Sequence, residues 1–187
     1  MNWPNLITVS RLFVTAACFA CLVFAKPDVS PTLVWWAFWL FVFAAATDFV
    51  DGWLARRLHQ VTQFGRIADP FADKILVCGT MVMLLEFPPV AAILPGWMVV
   101  VVIARELLVT TLRAAAEAAG HAFPADQLGK WKMIAQCFAA GSLLTVLAGT
   151  DHFRLLAVVM VWLSLALTIL SGVNYTLRAA RLLKGGV

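Results

Sequence analysis

Charged residues are scarce in this sequence. They make up 13% of its 187 residues, whereas a soluble domain averages about 25%. Hydrophobic residues account for 63%, against roughly 45–50% in a soluble domain. The composition therefore argues against a soluble globular protein and predicts one integral membrane domain over residues 1–187.

Cysteine and histidine are also rare, and their placement argues against two kinds of site. Cys18 and Cys21 form a C-x-x-C inside an apolar run, whereas a redox C-x-x-C usually lies at an accessible helix start beside a strand. Packing is the expected role of these two cysteines and of Cys78 and Cys137. The three histidines are scattered through predicted loops and form no metal-ligand set.

Six apolar segments are candidates for membrane helices, each of which needs about 20 residues. Helix is the expected state because lipid offers no partner for an open strand. The sequence therefore predicts an all-α integral membrane protein with six transmembrane helices. The predicted spans are Leu6–Ala25, Thr32–Arg57, Asp69–Phe87, Ala91–Ala119, Gln127–Gly149 and Phe153–Leu183.

The basic residues predict how these spans are oriented. If the N-terminus is cytoplasmic, all lysines and arginines except Lys26 and Arg154 lie at or toward the inner side, as the positive-inside rule expects. This topology explains the net charge of +4 without nucleic acid. No cleaved signal peptide and no Arg- and Ser-rich leader is recognisable, which favours a multi-pass protein of the bacterial cytoplasmic membrane.

Against this apolar background, residues 48–74 hold four of the ten acidic side chains. One set of residues, at i, i+3, i+4 and i+7, shares a helical face: Asp48, Asp51, Gly52 and Ala55. A second set repeats every four residues and also shares a face: Gly65, Asp69 and Asp73. Two helices joined by the short connection 57–66 would bring the four carboxylates together at the inner ends of spans two and three.

Four carboxylates at close range repel one another, and burial strengthens the repulsion. A divalent cation is the simplest compensation, and all-oxygen ligands favour Mg²⁺ or Mn²⁺ over Zn²⁺. Gly52 and Gly65 would let a ligand approach the backbone closely. Because ionisable clusters within membranes are functional by default, a functional site is favoured over four separate helix caps or interface charges.

The same residues resemble the signature of the CDP-alcohol phosphotransferase family. Every fixed position is filled: Asp48-x-x-Asp51-Gly52-x-x-Ala55-Arg56, eight residues, then Gly65-x-x-x-Asp69-x-x-x-Asp73. The resemblance implies six transmembrane helices, a homodimer and a polar site that opens to the cytoplasm. It also implies two divalent cations, Mg²⁺ or Mn²⁺, on the diphosphate of a CDP-linked donor.

The resemblance also implies roles for individual residues. Asp48, Asp51 and Asp69 would be metal ligands, and Asp73 would complete the metal site and act as the general base. Arg56 would hold the donor diphosphate, while the cytidine pocket would be lined by Gly52, Ala55 and Gly65. The expected reaction transfers the phosphatidyl group of CDP-diacylglycerol to an alcohol and releases CMP, and it needs charge neutralisation and in-line positioning.

A basic cluster indicates which alcohol accepts. Arg105 and Arg113 lie two helical turns apart in span four, and Lys130 and Lys132 open span five. Together they would suit a phosphate on the acceptor. The alternative is topological charge with Glu106 as a partner, which explains Lys132 well and Arg105 poorly.

Three further motifs narrow the resemblance to the branch of the family whose acceptor is sn-glycerol 3-phosphate. They are R-E-x-x-V-T-x-x-R from residue 105, G-K-W-K from residue 129 and N-W-P-N-L-I-T-x-x-R from residue 2. Asn5 and Thr8 would lie near the donor nucleotide. Met133 departs from the small polar residue expected after G-K-W-K. Span six reads as scaffold, with Asn174 and Tyr175 expected to make a helix–helix hydrogen bond.

Two alternatives remain open at this point. A sibling enzyme could use another acceptor, such as phosphatidylglycerol in a cardiolipin synthase, or an inositol phosphate. A divalent-cation carrier, from a different class, would distribute carboxylates through the depth of the membrane. Here the carboxylates cluster at one side, and within the predicted spans no matching acid occurs toward the outer half except Glu86, near a loop.

Overall fold

The computed structural model describes the backbone of residues 3–25, 30–58, 63–120 and 127–184, and the side chains of residues 8–25, 30–47, 68, 70–120 and 127–182. Within these ranges the chain is helical with short connections and has no strand, which confirms the all-α prediction. The helices are α1 (Trp3–Phe24), α2 (Pro31–Leu58), α3 (Gln63–Lys74), α4 (Thr80–Leu84), α5 (Pro88–Ala91), α6 (Gly96–Ala118), α7 (Gln127–Leu147) and α8 (Arg154–Lys184).

A π-helical turn, Ile75–Gly79, joins α3 to α4 and keeps the chain helical from residue 63 to residue 84. The helix therefore begins six residues before the predicted start at Asp69 and includes Gly65. Gly79, at the end of the turn, faces α1 so closely that a Cβ would overlap the Phe19 ring. The glycine thus lets this helical segment lie directly against α1.

The predicted fourth span, Ala91–Ala119, is not one helix. The short helix α5 ends at Ala91, and α6 begins at Gly96. Pro95 precedes α6 in an extended conformation (φ −63°, ψ 141°). Because proline lacks an N–H and its ring clashes with the preceding helical turn, it separates the two helices.

One large apolar cluster draws buried side chains from all six long helical segments of the described chain. α7 and α8 pack along each other, as do α1 and α2. Cys18 lies in this cluster, and its thiol donates to the Ala37 carbonyl at 3.3 Å, which agrees with the packing role predicted for it. We call this part of the molecule the apolar end; its members include Leu22, Val34, Leu84, Met98, Leu144 and Ala157.

The opposite part of the bundle, here called the charged end, contains the buried charged residues Arg11, Glu106 and Lys132. Arg11 and Lys132 come before the apolar cluster residues of α1 and α7, whereas Glu106 comes after those of α6. Successive long segments therefore run in alternate directions between the two ends. The second, smaller apolar cluster lies here: Val109, Ala116, Tyr175 and Ala179.

Large apolar side chains also cover much of the outer surface. Phe13, Phe24 and Leu155 are 74%, 73% and 75% exposed. By length and composition, one of the described helices, spanning Asp151–Leu182, can cross a membrane, and Thr8–Phe24 and Pro31–Thr47 are shorter apolar helices.

Candidate functional site

The two carboxylate motifs lie on neighbouring helices. α2 continues without interruption to Leu58, so Asp48, Asp51, Gly52 and Ala55 occupy positions on one face of a single helix. α3 carries Gly65, Asp69 and Asp73 and contacts both α1 and α2. The side chains of eight predicted site residues lie outside the described residues: Asn5, Asp48, Asp51, Gly52, Ala55, Arg56, Gly65 and Asp69.

Asp73 is the predicted metal ligand whose side chain the structure describes, and it forms an ion pair with α1. Arg11 Nη1 donates to Asp73 Oδ1 at 2.7 Å. The Arg11 side chain is 1% exposed and the Asp73 side chain 24% exposed. An arginine buried to this degree in an apolar bundle needs a charged partner. Arg11 is therefore part of the carboxylate site and not only a topological charge.

The sequence contained a signal for Arg11. Thr8 and Arg11 stand three residues apart, and both are buried, at 3% and 2% exposure. Together with Asn5 they follow the i, i+3 spacing of one helical face. Asn5 and Thr8 were predicted to lie near the donor nucleotide, and the same periodicity extends to Arg11.

Lys74 connects the carboxylate helix to α6. Its ammonium group donates to the Thr110 hydroxyl, and that hydroxyl donates to the Glu106 carbonyl oxygen at 2.7 Å. Because Lys74 directly follows Asp73, this contact fixes the end of α3 relative to the helix that carries Arg105 and Arg113.

Glu106 gathers two of the basic residues. Lys132 Nζ and Arg105 Nη1 both donate to Glu106 Oε1, the latter at 3.2 Å. Lys132 is 5% exposed, whereas Lys130, two residues earlier on α7, is exposed. Of the two lysines in the predicted cluster, the structure thus places Lys132 inside it, against Glu106, and leaves Lys130 at the surface.

Arg105 and Arg113 both reach Tyr175 of α8. The Arg105 guanidinium carbon lies 5.5 Å from the centre of the Tyr175 ring. Arg113 Nη2 donates to the Tyr175 hydroxyl at 3.2 Å, which is the helix–helix hydrogen bond predicted for this tyrosine. Arg105 Nη2 also donates to the Ser171 hydroxyl. α8 therefore supplies partners to the basic cluster, a role that its reading as scaffold missed.

The start of α7 packs against Arg105 and Tyr175. A Cβ at Gly129, the first residue of the G-K-W-K motif, would lie 3.9 Å from Arg105 Nη2 and 4.0 Å from the Tyr175 hydroxyl. The Nε atoms of Arg105 and Arg113 are buried and have no hydrogen-bond partner among the described residues. A buried N–H without an acceptor is costly, so both atoms favour a bound anion.

The described side chains do not test the predicted metal site. Among them, no three histidine, cysteine, aspartate or glutamate residues lie together as a metal site would need. Since three of the four predicted ligands lie outside that set, the predicted metal pair stays a prediction. All four predicted metal ligands are aspartates, so each of them would supply carboxylate oxygens.

Comparisons with known proteins agree with the motifs. A sequence model described as CDP-alcohol phosphatidyltransferase matches residues 1–170. A CDP-diacylglycerol–glycerol-3-phosphate 3-phosphatidyltransferase from Bacillus subtilis (strain 168) is 39% identical over 140 residues, which cover 73% of this chain and 69% of that protein.

Two further relatives match over more of the chain. A probable phosphatidylglycerophosphate synthase from Mycobacterium tuberculosis (strain CDC 1551 / Oshkosh) is 35% identical, covering 96% of this chain and 82% of the relative. A CDP-diacylglycerol–glycerol-3-phosphate 3-phosphatidyltransferase from Rickettsia bellii (strain RML369-C) is 33% identical and covers 93% of each.

Proposed function

The chain belongs to the CDP-alcohol phosphatidyltransferase family, and on that premise we propose that it transfers the phosphatidyl group of CDP-diacylglycerol to sn-glycerol 3-phosphate. The products are phosphatidylglycerophosphate and CMP. The observation that carries this proposal is the naming of relatives that match more than nine-tenths of the chain at about one-third identity: one is a probable phosphatidylglycerophosphate synthase and the other a CDP-diacylglycerol–glycerol-3-phosphate 3-phosphatidyltransferase. The four filled aspartate positions and the basic cluster support it.

The proposed protein is a single domain that crosses the bacterial cytoplasmic membrane six times, with the charged end on the cytoplasmic side. Three features support this arrangement: the alternating direction of the six long segments, the apolar outer surface and the placement of the basic residues. A membrane site suits this reaction because the acyl chains of the donor stay in the bilayer. The homodimer implied by the family resemblance stays a prediction.

We assign the donor to the carboxylate helices. Asp48, Asp51, Asp69 and Asp73 fit a pair of divalent cations, because α2 and α3 contact each other and each of the four positions supplies carboxylate oxygens. When bound, Mg²⁺ or Mn²⁺ would neutralise the diphosphate and align the attacking and leaving oxygens. Arg56 would bind the same diphosphate. The cytidine would lie near a set of smaller residues: Asn5, Thr8, Gly52, Ala55 and Gly65.

Asp73 is the proposed general base. A hydroxyl oxygen of glycerol 3-phosphate attacks the phosphorus that carries the diacylglycerol, the bond from that phosphorus to the CMP oxygen breaks, and CMP leaves with the bonding electrons. Asp73 accepts the hydroxyl proton. The 2.7 Å contact with Arg11 fixes one oxygen of this carboxylate.

The acceptor phosphate is assigned to the basic cluster. Arg105, Arg113 and Lys132 carry three positive charges, and Glu106 removes one of them. A phosphate monoester carries about −1.5 to −2 charge at pH 7, so the remaining two positive charges match it. The buried Nε–H groups of Arg105 and Arg113 supply donors that need an acceptor. Lys130, at the surface, would contribute to attraction of the anion over a longer range.

The proposal is tested by CMP release from the purified protein in mixed micelles with CDP-diacylglycerol and Mg²⁺, with and without sn-glycerol 3-phosphate. Release that requires glycerol 3-phosphate supports the proposed reaction. Release with phosphatidylglycerol or inositol 1-phosphate, but not with glycerol 3-phosphate, would keep the family and replace the acceptor. Flux of divalent cations into proteoliposomes without any CMP release would instead indicate a carrier.

Arg113→Ala tests the acceptor assignment separately. The variant should raise the KM for glycerol 3-phosphate at least about tenfold, since a charge-assisted hydrogen bond contributes about 1.5–3 kcal/mol. The KM for CDP-diacylglycerol should change little. Equal losses for both substrates would count against an acceptor phosphate at this position.

A further inference from the structure

The two arginines of the basic cluster depend on one helix for their orientation. Arg105 and Arg113 are eight residues apart on α6, which corresponds to about 12 Å along a helix axis. Tyr175 spans the gap, with its ring near the Arg105 guanidinium and its hydroxyl accepting from Arg113 Nη2 at 3.2 Å. Tyr175 is the one tyrosine of the sequence and is 2% exposed.

Ser171, one turn before Tyr175 on α8, holds Arg105 from a second direction. Its hydroxyl accepts from Arg105 Nη2. Each arginine thus has one terminal nitrogen held by a hydroxyl of α8, while its Nε remains buried without a partner among the described residues. The hydroxyls fix the position of each guanidinium group without using all of its donors.

These hydroxyls differ from the buried hydroxyl of Ser164 on the same helix. Ser164 donates to the Val161 carbonyl oxygen at 2.8 Å and so bonds within its own helix. Ser171 and Tyr175 instead accept hydrogen bonds across the interface with α6. A role in packing alone would not require acceptors aimed at two cations.

The type of partner matters as well. Glu106 forms ion pairs with both Lys132 and Arg105, and its single carboxylate cancels one positive charge of the cluster. The hydroxyls of Ser171 and Tyr175 are neutral, so their contacts with Arg105 and Arg113 cancel no further charge. Two positive charges therefore remain in the cluster, and α8 contacts both of its arginines.

We propose that Ser171 and Tyr175 are positioning residues through which α8 orients Arg105 and Arg113 for the phosphate of the acceptor, so that α8 sets the affinity for that substrate. This inference rests on the proposed function, because it requires an anionic acceptor at the two arginines. It gives a role in acceptor binding to α8, a helix that carries none of the sequence motifs.

The test compares three variants with the parent enzyme in the CMP-release assay: Tyr175→Phe, Ser171→Ala and, as a control, Ser164→Ala. Tyr175→Phe should raise the KM for glycerol 3-phosphate about tenfold, and Ser171→Ala about fivefold, within the range expected for loss of one hydrogen bond. The KM for CDP-diacylglycerol should stay within about twofold of the parent value. Ser171→Thr, which keeps the hydroxyl, should recover most of the affinity, and Ser164→Ala should match the parent.

Two results would overturn the inference. One is an unchanged KM for glycerol 3-phosphate in Tyr175→Phe and Ser171→Ala. The other is an equal rise in both KM values together with a lower thermal midpoint, which indicates a structural role alone. If Tyr175→Phe does not fold, Ser171→Ala and its threonine counterpart decide the question.

The parent enzyme separates this inference from the proposed function. If the parent releases CMP without needing glycerol 3-phosphate, both the proposed function and the inference fall. If the parent requires glycerol 3-phosphate and the α8 variants behave like it, the inference alone falls.

Discussion

At the apolar end, side chains from all six long segments meet in one cluster, and the helices are held together by close packing of apolar side chains. At the charged end, the same helices meet through ion pairs and hydrogen bonds: Arg11 with Asp73, Lys132 with Glu106, and Arg113 with Tyr175. Within lipid, helices associate by close packing and by interhelical hydrogen bonds. The apolar end of this protein relies mainly on close packing, and the charged end mainly on ion pairs and hydrogen bonds.

The difference has a consequence for function. Apolar packing tolerates conservative changes of side chain, provided that volume is kept. Buried charged groups must keep their partners, because an uncompensated charge in the bundle is costly. Changes at the apolar end should therefore affect mainly stability, whereas changes at the charged end should affect mainly turnover and substrate affinity.

Asp73→Asn has the largest expected effect: a loss of turnover with the fold and donor binding retained. The asparagine keeps an oxygen that can accept from Arg11, so the fold should be retained, but it cannot take the acceptor's proton. General base catalysis contributes about 10²–10⁴-fold, and we expect kcat to fall by at least that factor while CDP-diacylglycerol binding remains measurable. CMP release and binding of the donor in micelles measure the two effects. A variant with parental turnover would rule out Asp73 as the base.

Arg11→Ala should reduce both stability and turnover. It removes the ion pair between Arg11 and Asp73, and breaking a buried ion pair costs about 3–5 kcal/mol, with the lower figure expected here because Asp73 is 24% exposed. Arg11→Lys keeps the charge and should retain more activity than Arg11→Ala. The midpoint of thermal unfolding and kcat measure the effects.

The matched control for Arg11 lies near the apolar end. Arg154→Ala removes the same charge from an exposed position at the start of α8, and it should leave both quantities nearly unchanged. If Arg11→Ala were as stable and as active as Arg154→Ala, the ion pair would have no part in holding Asp73.

The helices and the carboxylate motif could be predicted from the sequence, whereas most of the contacts at the charged end could not. The six helical segments and the carboxylate motif depend on local periodicity, and the two carboxylate sets lie on helices adjacent in the chain. The partners at the charged end come from far apart: Arg11 and Asp73 are separated by 62 residues, Arg105 and Ser171 by 66. Local spacing places Arg11 on the face of Asn5 and Thr8 but does not identify a distant partner, so the Arg11–Asp73 and Arg105–Ser171 contacts were missed.

The two lysines of the G-K-W-K motif illustrate the same limit. Lys130 and Lys132 were predicted as members of one cluster because they are close in sequence. Residues two apart on a helix do not face each other, and the structure buries Lys132 against Glu106 while Lys130 is exposed. Helical periodicity predicts that the two lysines lie on different faces of α7, but it does not predict which of them faces the bundle.

Leu144→Ala tests the apolar end. Leu144 is 0% exposed within the large cluster, and the truncation should lower the free energy of unfolding by about 2–5 kcal/mol, mainly by leaving a cavity. The KM values for both substrates should remain parental, because no residue of the charged end is changed. Leu155→Ala, at a position 75% exposed, should have little effect on either quantity. A selective change in the glycerol 3-phosphate KM of Leu144→Ala would show that the two ends are not independent.

The smallest expected effect comes from two glycine-to-alanine changes that differ only in what the new methyl group meets. At Gly172 a Cβ would lie 3.2 Å from Arg105 Cγ, which is closer than an ordinary contact, whereas at Gly141 it would lie 3.9 Å from a Phe38 ring atom. Both changes gain about 1 kcal/mol of helix propensity, so that gain cancels in the comparison.

Gly172→Ala should therefore displace Arg105 by a few tenths of an ångström and raise the KM for glycerol 3-phosphate about threefold, since a shift of about 1 Å can cost about 10²-fold. Gly141→Ala should keep the parental KM. The measurement is the ratio of the two KM values in parallel CMP-release assays. A ratio of one would mean that Arg105 adapts to the added methyl group, and that α8 controls this arginine through its hydrogen bonds and not through the closeness of its backbone.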